Sequence, residues 1–441
     1  MKLSGWGRYP VLKANVNAPR NVAALRDVVR SEPTLIARGN GRAYGDSAIN
    51  PAATLETRRL NRMLAFDSEA GQLIAESGVI LGDIIVSFLP RGWFPLVTPG
   101  TKFVSLGGAI AADVHGKNHH KKGSFRSCVD WFDVMDATGS ITRCSRTENP
   151  MLFDHTLGGM GLTGIITEAA IRLQPVETAW IVQTTHAAPN LKSAMDMFEA
   201  NQNATYSVAW IDCLAGGAGR GRSLVMLGEH ARRSDLPDAR RQTPFDVPRK
   251  MKRTVPFDFP GFALNAFTVR AFNALYYLAG SRIKGQQLVD WDTYFYPLDA
   301  ILEWNRIYGR KGFTQFQCVL PLDESEAGLS ALLRAISKAG AGSFLTVLKR
   351  FGAQDSAFSF PMEGYTLALD FPINPKTLHL LTKLERITLD HGGRFYLAKD
   401  SCMSAETFAA SDNRVEAFRA QRRANNWQGA FASAQSERLA L

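Results

Sequence analysis

At 441 residues the chain exceeds what one hydrophobic core usually organises, so two or three domains are expected. Its 45% hydrophobic and 21% charged residues are those of an ordinary globular protein, while a formal net charge of +10 points to an anionic partner such as a phosphate-bearing ligand or an acidic membrane surface. Nucleic acid is disfavoured, because basic residues nowhere interleave with aromatics in a binding pattern, and no run approaches the roughly 18 to 20 apolar residues that span a bilayer.

Cys128, Cys144, Cys213, Cys318 and Cys402 are odd in number, scattered and never in CxxC spacing. That excludes a disulfide framework or thiolate metal site and fits a reducing cytoplasm. The N-terminal MKLSGWGRYPV lacks the apolar core of a secretory leader. A cytoplasmic protein is expected, either free or peripheral on the inner face of the cell membrane.

In chain order, Asn21 to Arg30 places Val22, Leu25 and Val28 or Val29 at helical spacing, and Thr34 to Arg38 reads as a buried strand. The strand enters a glycine-rich turn, Gly39-Asn-Gly-Arg-Ala-Tyr-Gly-Asp46, whose free N–H groups and Arg42 suit a pyrophosphate. A nicotinamide Rossmann site is disfavoured, because Tyr44-Gly-Asp-Ser leads towards Pro51 and not into a helix. Gln72 to Ser77 reads as a strand, and Leu81 to Leu89 as a helix stopped by Pro90.

The chain then enters VTPGTKFVSLGGAIAADVHGKNHHKKGS, residues 97–124. Gly100, Gly107, Gly108 and Gly116 remove side chains where a flat or anionic ligand could meet backbone, and His115, Lys117, His119 and His120 set ionisable groups beside it. A bound cofactor is the natural reading, with a solvated loop as the alternative. No nearby cysteine or carboxylate completes a zinc set with His119 and His120, so no metal is expected.

Val129 to Met135 and Ser140 to Cys144 flank Asp136-Ala-Thr-Gly139 as a hairpin, and a third glycine cluster, Leu157 to Gly164, feeds an alternating strand from Ile165 to Leu173. A domain boundary is placed near residue 178. Beyond it, alternating strands and helices predict a sheet with helices on one face. Gly216 to Gly221 lacks the ending of a phosphate loop and reads as a flexible hairpin tip. Ala231 to Arg253 carries eight Lys or Arg against three Asp, with Pro237, Pro244 and Pro248, and predicts a mobile surface loop. Val255 to Leu278, rich in aromatic and apolar residues, is either a core helix or a face that rests on an anionic membrane or covers a lipid-bearing substrate. Gln315, Gln317, Lys349 and Asp370 lie on short apolar strands and point to a substrate pocket or a solvent face. Tyr396 to Ser401 leads to a helix from Ala405 to Ala424.

Taken together, Ser4-Gly-Trp-Gly-Arg8, Ala37 to Asp46, Thr98-Pro-Gly-Thr101, Gly107-Gly-Ala-Ile110, His115-Gly-Lys-Asn-His-His120, Gly158 to Gly164, Glu303-Trp-Asn-Arg306 and Ala398-Lys-Asp-Ser401 resemble the flavin oxidoreductases of the vanillyl-alcohol oxidase superfamily. Within it they resemble the decaprenylphosphoryl-β-D-ribose oxidase family of cell-envelope arabinose synthesis. The resemblance implies an α+β two-domain flavoprotein. Its FAD-binding domain spans 1–178 and regains the tail 394–441, and a sheet-and-helix substrate domain spans 179–393.

FAD would rest its pyrophosphate on Gly39, Asn40, Gly41, Arg42, Ala43 and Tyr44, next to Arg38. The isoalloxazine would lie beside Gly100, Thr101, Ser105, Leu106, Gly107, Gly108, Ala112, Asp113, Val114 and His115, with Gly161, Gly164, Ile166 and Tyr396 completing the site. Many relatives attach flavin through a histidine in the first glycine turn, where this chain offers Tyr44, so non-covalent FAD is implied.

The implied reaction oxidises a secondary sugar hydroxyl, the 2′-hydroxyl of a polyprenylphosphoryl-β-D-ribose, to a 2′-keto sugar that a separate nicotinamide-dependent short-chain reductase would convert to the arabino epimer. Hydride goes to the flavin and the hydroxyl proton to a base or water. Lys399 is the first catalytic candidate, with a surface pair to Asp400 as its alternative. His115 and Tyr44 would orient or deprotonate the substrate, although His115 could instead be a structural histidine. Gln315, Gln317, Lys349, Asp370 and Lys399 would hold it. Mycobacterial members place a cysteine where this chain has Ala368, two residues after Thr366, which alters pocket shape and leaves hydride transfer intact. Two further readings stay open: a soluble sugar-acid lactone or alditol oxidase, and a non-catalytic flavin-bound docking subunit.

Overall fold

The computed structural model describes residues 1–248, 251–261 and 265–441. The first part of the chain builds a two-stranded ribbon, Lys2–Leu3 with Leu12–Lys13, and two larger sheets. A small parallel one has the order Val16–Asn17, Thr54–Glu56, Ile36–Arg38. The helix Val22–Ser31 is capped by Asn21, whose side chain accepts from the Ala24 N–H at 2.9 Å, and it buries Leu25 and Val29 as its spacing predicts.

The second sheet is antiparallel, in the order Ile141–Ser145, Val129–Met135, Ile165–Pro175, Gln72–Glu76, Met63–Asp67, with Trp93–Pro95 also paired to Ile165–Pro175. The Asp136 hairpin forms, its carboxylate accepting from the N–H groups of Thr138 and Ser140 at 2.8 and 3.0 Å. Ile165–Pro175 departs from the expected alternation, since Ile165, Ile166, Thr167, Ala169, Ala170 and Ile171 are all buried. The strand is central, and a register shift between Ile166 and Glu168 lets it feed cores on both faces of the sheet.

The middle of the chain forms an eight-stranded antiparallel sheet: Gln286–Asp290, Trp180–Ala188, Ser223–His230, Tyr206–Ile211, Thr346–Phe351, Gly364–Pro372, Phe313–Pro321, Arg394–Phe395. Helices Ser325–Ala339 and Pro375–Asp390 cover one face, packing Leu329, Leu332 and Leu384 onto Phe316, Cys318, Leu348, Leu367 and Leu369. Strand periodicity sends the intervening residues to the other face. Register there sets Gln315 opposite Asp370, Gln317 opposite Ala368 and Lys349 opposite Thr366.

Gly216 to Gly221 sits between two strands paired as an antiparallel hairpin, Tyr206–Ile211 and Ser223–His230. The expected mobile loop is anchored as far as residue 248: Leu236 is buried, Ala179 N–H donates to the Pro244 carbonyl at 3.0 Å, and Arg240 lies 4.1 Å over the Trp180 ring. Arg249 and Lys250 of that loop, and Phe262 to Leu264 of the aromatic stretch, lie outside the described residues. The expected helix from Ala405 to Ala424 is two helices, Ala405–Ser411 and Val415–Ala424. Between them Asp412 accepts from the Arg414 N–H at 3.1 Å and from its guanidinium at 2.8 Å, a local bond that competes with helix continuation. The tail returns to the first sheets: Phe431 bridges Leu35, Ala434 N–H donates to Ile49 at 2.7 Å, and Arg438 pairs with Asp46 at 2.8 Å and Asp400 at 2.9 Å.

Candidate active site

The polar face of the large sheet stands against the glycine-rich turns and encloses a cavity of about 430 Å³. Gly39 to Tyr44, Gly100, Thr101, Ser105, Gly107, Gly108, Ala112, Val114, His115, Gly161, Gly164, Ile166 and Tyr396 line the turn side. Gln315, Gln317, Lys349 and Asp370 line the sheet side, and Lys399 enters after Tyr396.

Three expected residues do not line the cavity. Arg38 donates to the Ser4 carbonyl at 2.8 Å and braces the chain start. Leu106 is buried in the core beneath the turn. Asp113, at φ 38°, accepts from Ser124 Oγ, the Arg126 N–H and Gln354 Nε2 at 2.7, 2.8 and 3.2 Å, clamping the loop. Conversely, Trp6, Phe103, Asp299, Trp304 and Val347 line the cavity without having been singled out as site residues. Trp6 and Trp304 stood inside the quoted motifs. Asp299 had no signal, because its partners, Thr101 Oγ and the Lys102 N–H, both at 2.8 Å, are about two hundred residues away in sequence.

The two turns are built on each other. Asn40 Nδ2 donates to the Phe103 carbonyl at 2.7 Å, and Ser105 caps the helix Leu106–Ala111 by accepting from the Gly108 N–H at 3.3 Å. A Cβ on Gly39 would meet Ser105 Oγ at 2.0 Å, and one on Gly107 would meet Ser77 Cβ at 2.8 Å. At those glycines, and at Gly116 under the Thr98 carbonyl at 2.7 Å, packing within the protein already requires the absence of a side chain. Gly100 differs: its Cβ would meet nothing within 4 Å. A ligand can press on backbone there.

On the sheet side Gln317 Nε2 donates to His115 Nε2 at 3.1 Å and to Thr366 Oγ at 3.2 Å, and Gln315 Nε2 donates to Asp370 at 2.6 Å. With Nε2 accepting, the His115 proton sits on Nδ1, which is buried and unpartnered. Burial, with Lys349, His119 and Lys399 adding positive charge, holds His115 well below the usual histidine range, so it is neutral. The Lys399 ammonium lies 3.7 Å over the Tyr44 ring. Burial lowers its pKa, Asp370 opposes that and Lys349 adds to it. Burial alone brings Lys349 down to about 8, and burial with the negative charge of Asp370 and Asp299 raises Tyr44, which stays a phenol. Among the described residues neither lysine has a hydrogen-bond or ion-pair partner, and Asp400 is taken by Arg438, so the Lys399–Asp400 surface pair does not form.

The rest of the histidine stretch turns away from the cavity. His119 Nε2 meets Gln354 at 3.0 Å, His120 Nε2 meets the Ala204 carbonyl at 2.8 Å, and the Lys117 ammonium donates to the Tyr294 carbonyl while lying 4.0 Å over its ring. These contacts stitch the loop to segments that flank strands of the large sheet.

The unpaired buried atoms Arg42 Nε, Ser77 Oγ and His115 Nδ1, all on cavity-lining residues, together with open backbone at Gly100, fit a long polar cofactor with a flat end. A family described as an FAD binding domain matches residues 14–145. The chain is 36% identical to decaprenylphosphoryl-β-D-ribose oxidase of Mycolicibacterium smegmatis across 100% of its own length and 97% of the relative's. It is 32% identical to an uncharacterized protein of Streptomyces coelicolor over 80% of this chain and 97% of that one. Bovine L-gulonolactone oxidase is 23% identical over 46% of each chain. The chain is an FAD-dependent oxidoreductase acting on CH–OH groups, and it belongs to the decaprenylphosphoryl-β-D-ribose oxidase family.

Proposed function

We propose that the protein oxidises the 2′-hydroxyl of a polyprenylphosphoryl-β-D-ribose to the 2′-keto sugar, the first half of an epimerisation to the arabinose form. The observation that carries the reading is the pair of lysines without hydrogen-bond or ion-pair partners, Lys349 and Lys399, that line one cavity together with the glycine turns. Bound FAD supplies the hydride acceptor. Lys349 takes the phosphate, Gln315 and Gln317 position the sugar, and Asp370 favours the charged form of Lys399. Lys399 then stabilises the charge that develops on the reacting oxygen as its proton leaves to water. Neutral His115, fixed by Gln317, orients the sugar and is not the acid.

FAD is held without a covalent bond in this reading. No cysteine lines the cavity among the described residues, and its histidine, His115, is already engaged by Gln317. We assign residues 1–178 and 394–441 to the FAD-binding domain and 179–393 to the substrate domain; the tail contacts support the return of the C-terminal segment, whose first residues, Arg394–Phe395, still pair with Phe313–Pro321 at the edge of the large sheet. The keto product calls for a nicotinamide-dependent reductase to complete the epimerisation, and a lipid-borne substrate calls for a peripheral position on the inner face of the cell membrane.

The test is an anaerobic flavin spectrum before and after adding polyprenylphosphoryl ribose, followed by acid precipitation. Bleaching by the lipid sugar, with FAD released to the supernatant, is the expected result. Bleaching only by a free polyol or lactone would move the substrate to soluble sugars. A spectrum unmoved by any of them would leave a docking subunit.

A further inference from the structure

We infer that the outward face of the helix Ala266–Ser281, with the segment from Met251 to Phe257, seats the protein on an anionic lipid bilayer beside the cavity, a docking that rests on the lipid-sugar reading above only for its purpose. The helix turns Val269, Asn273 and Gly280 onto the large sheet, where Asn273 Nδ2 donates to Asp212 at 2.8 Å. Phe267 and Leu275, two positions out of step with Val269 and Tyr277, therefore lie on the far side, 79% and 68% exposed. Phe272, Tyr276 and Leu278 widen this face. A contiguous exposed apolar surface of this kind marks an interface.

Charge selects the occupant. From residue 259 to residue 289 there is no carboxylate, while Arg270, Arg282 and Lys284 fall within that run. Apolar side chains framed by cations suit the headgroup boundary of an anionic membrane. The same face adjoins the cavity. The Phe272 ring lies 5.9 Å from Phe344, next to Leu345 of the cavity wall. At the other rim Ile301 both lines the cavity and is exposed, and it pairs with Arg253, two residues after Met251, which is 88% exposed. The Lys252 ammonium there is 5.5 Å from the ring of Phe103, another wall residue.

The FAD-loaded protein is floated with vesicles of phosphatidylcholine alone or containing about one-third phosphatidylglycerol. Co-flotation with the anionic vesicles, reduced about tenfold by Phe267→Asp with Leu275→Asp and about fivefold by Arg270→Glu, is expected. Flavin absorbance and circular dichroism should not change, because these side chains are exposed. Absence of binding, or binding indifferent to the double substitution, overturns the docking. A concentration-dependent dimer abolished by the same substitutions without vesicle binding also overturns it and gives the face to a second copy. The vesicles contain no sugar lipid, so a protein that floats yet is not reduced by polyprenylphosphoryl ribose keeps the docking and loses the substrate reading alone.

Discussion

Lys399 has aromatic support from Tyr44 and a carboxylate, Asp370, that opposes its loss of charge. Lys399→Met should lower the rate of flavin reduction by about a hundredfold or more with FAD content retained, since one preorganised charge at a developing oxyanion contributes on that scale. Stopped-flow absorbance at the flavin band measures it. Asp370→Asn removes the group that raises the Lys399 pKa, so the charged form, present below that pKa, is lost at lower pH. The alkaline limb of flavin reduction should move towards acid, and an unmoved limb would dissociate Asp370 from Lys399. Lys349, pulled down to about 8 by burial, is a cation below that pH and a neutral amine above it. Substrate affinity should therefore weaken as pH rises through about 8. Lys349→Arg should abolish that loss, because a guanidinium stays charged, and KM across the pH range checks it.

At the scale of elements, the glycine turns divide by what a side chain would meet. Gly100→Phe directs a ring into open space, so the apo protein should melt unchanged while the flavin-to-protein absorbance ratio collapses. Gly107→Ala meets Ser77 instead and should cost about 1–3 kcal/mol by urea denaturation, as overpacking does. Strand periodicity made the shared face of Gln315 and Gln317 legible, and Asn21 made the first helix start legible. The burial of both faces of Ile165–Pro175 was not legible, because a register shift between Ile166 and Glu168 is set by its neighbours in the sheet. Nor was the break at Asp412, where a side-chain bond to Arg414 competes with helical propensity.

Across the whole molecule, the tail closes the site from behind. Arg438 holds the buried Asp46 and the half-buried Asp400, and so joins the first glycine turn to the segment that carries Lys399. Arg438→Ala strands the buried Asp46, while Asp400 keeps the N–H groups of Cys402 and Met403, and should cost about 3 kcal/mol. Denaturation read by tryptophan fluorescence and flavin release together should show both midpoints falling.

The motifs in their order identified the cofactor class, the family and most of the residues that reach the cavity, because close backbone approach and polar strand faces leave local patterns. Tertiary structure decided the remainder. It turned Arg38, Leu106 and Asp113 into supports, gave His119 and His120 to inter-segment bonds, and brought in Asp299 across a gap no local pattern spans. Local sequence specifies a turn or a strand face. Which distant carboxylate, carbonyl or ring it meets is settled only when the sheets pack.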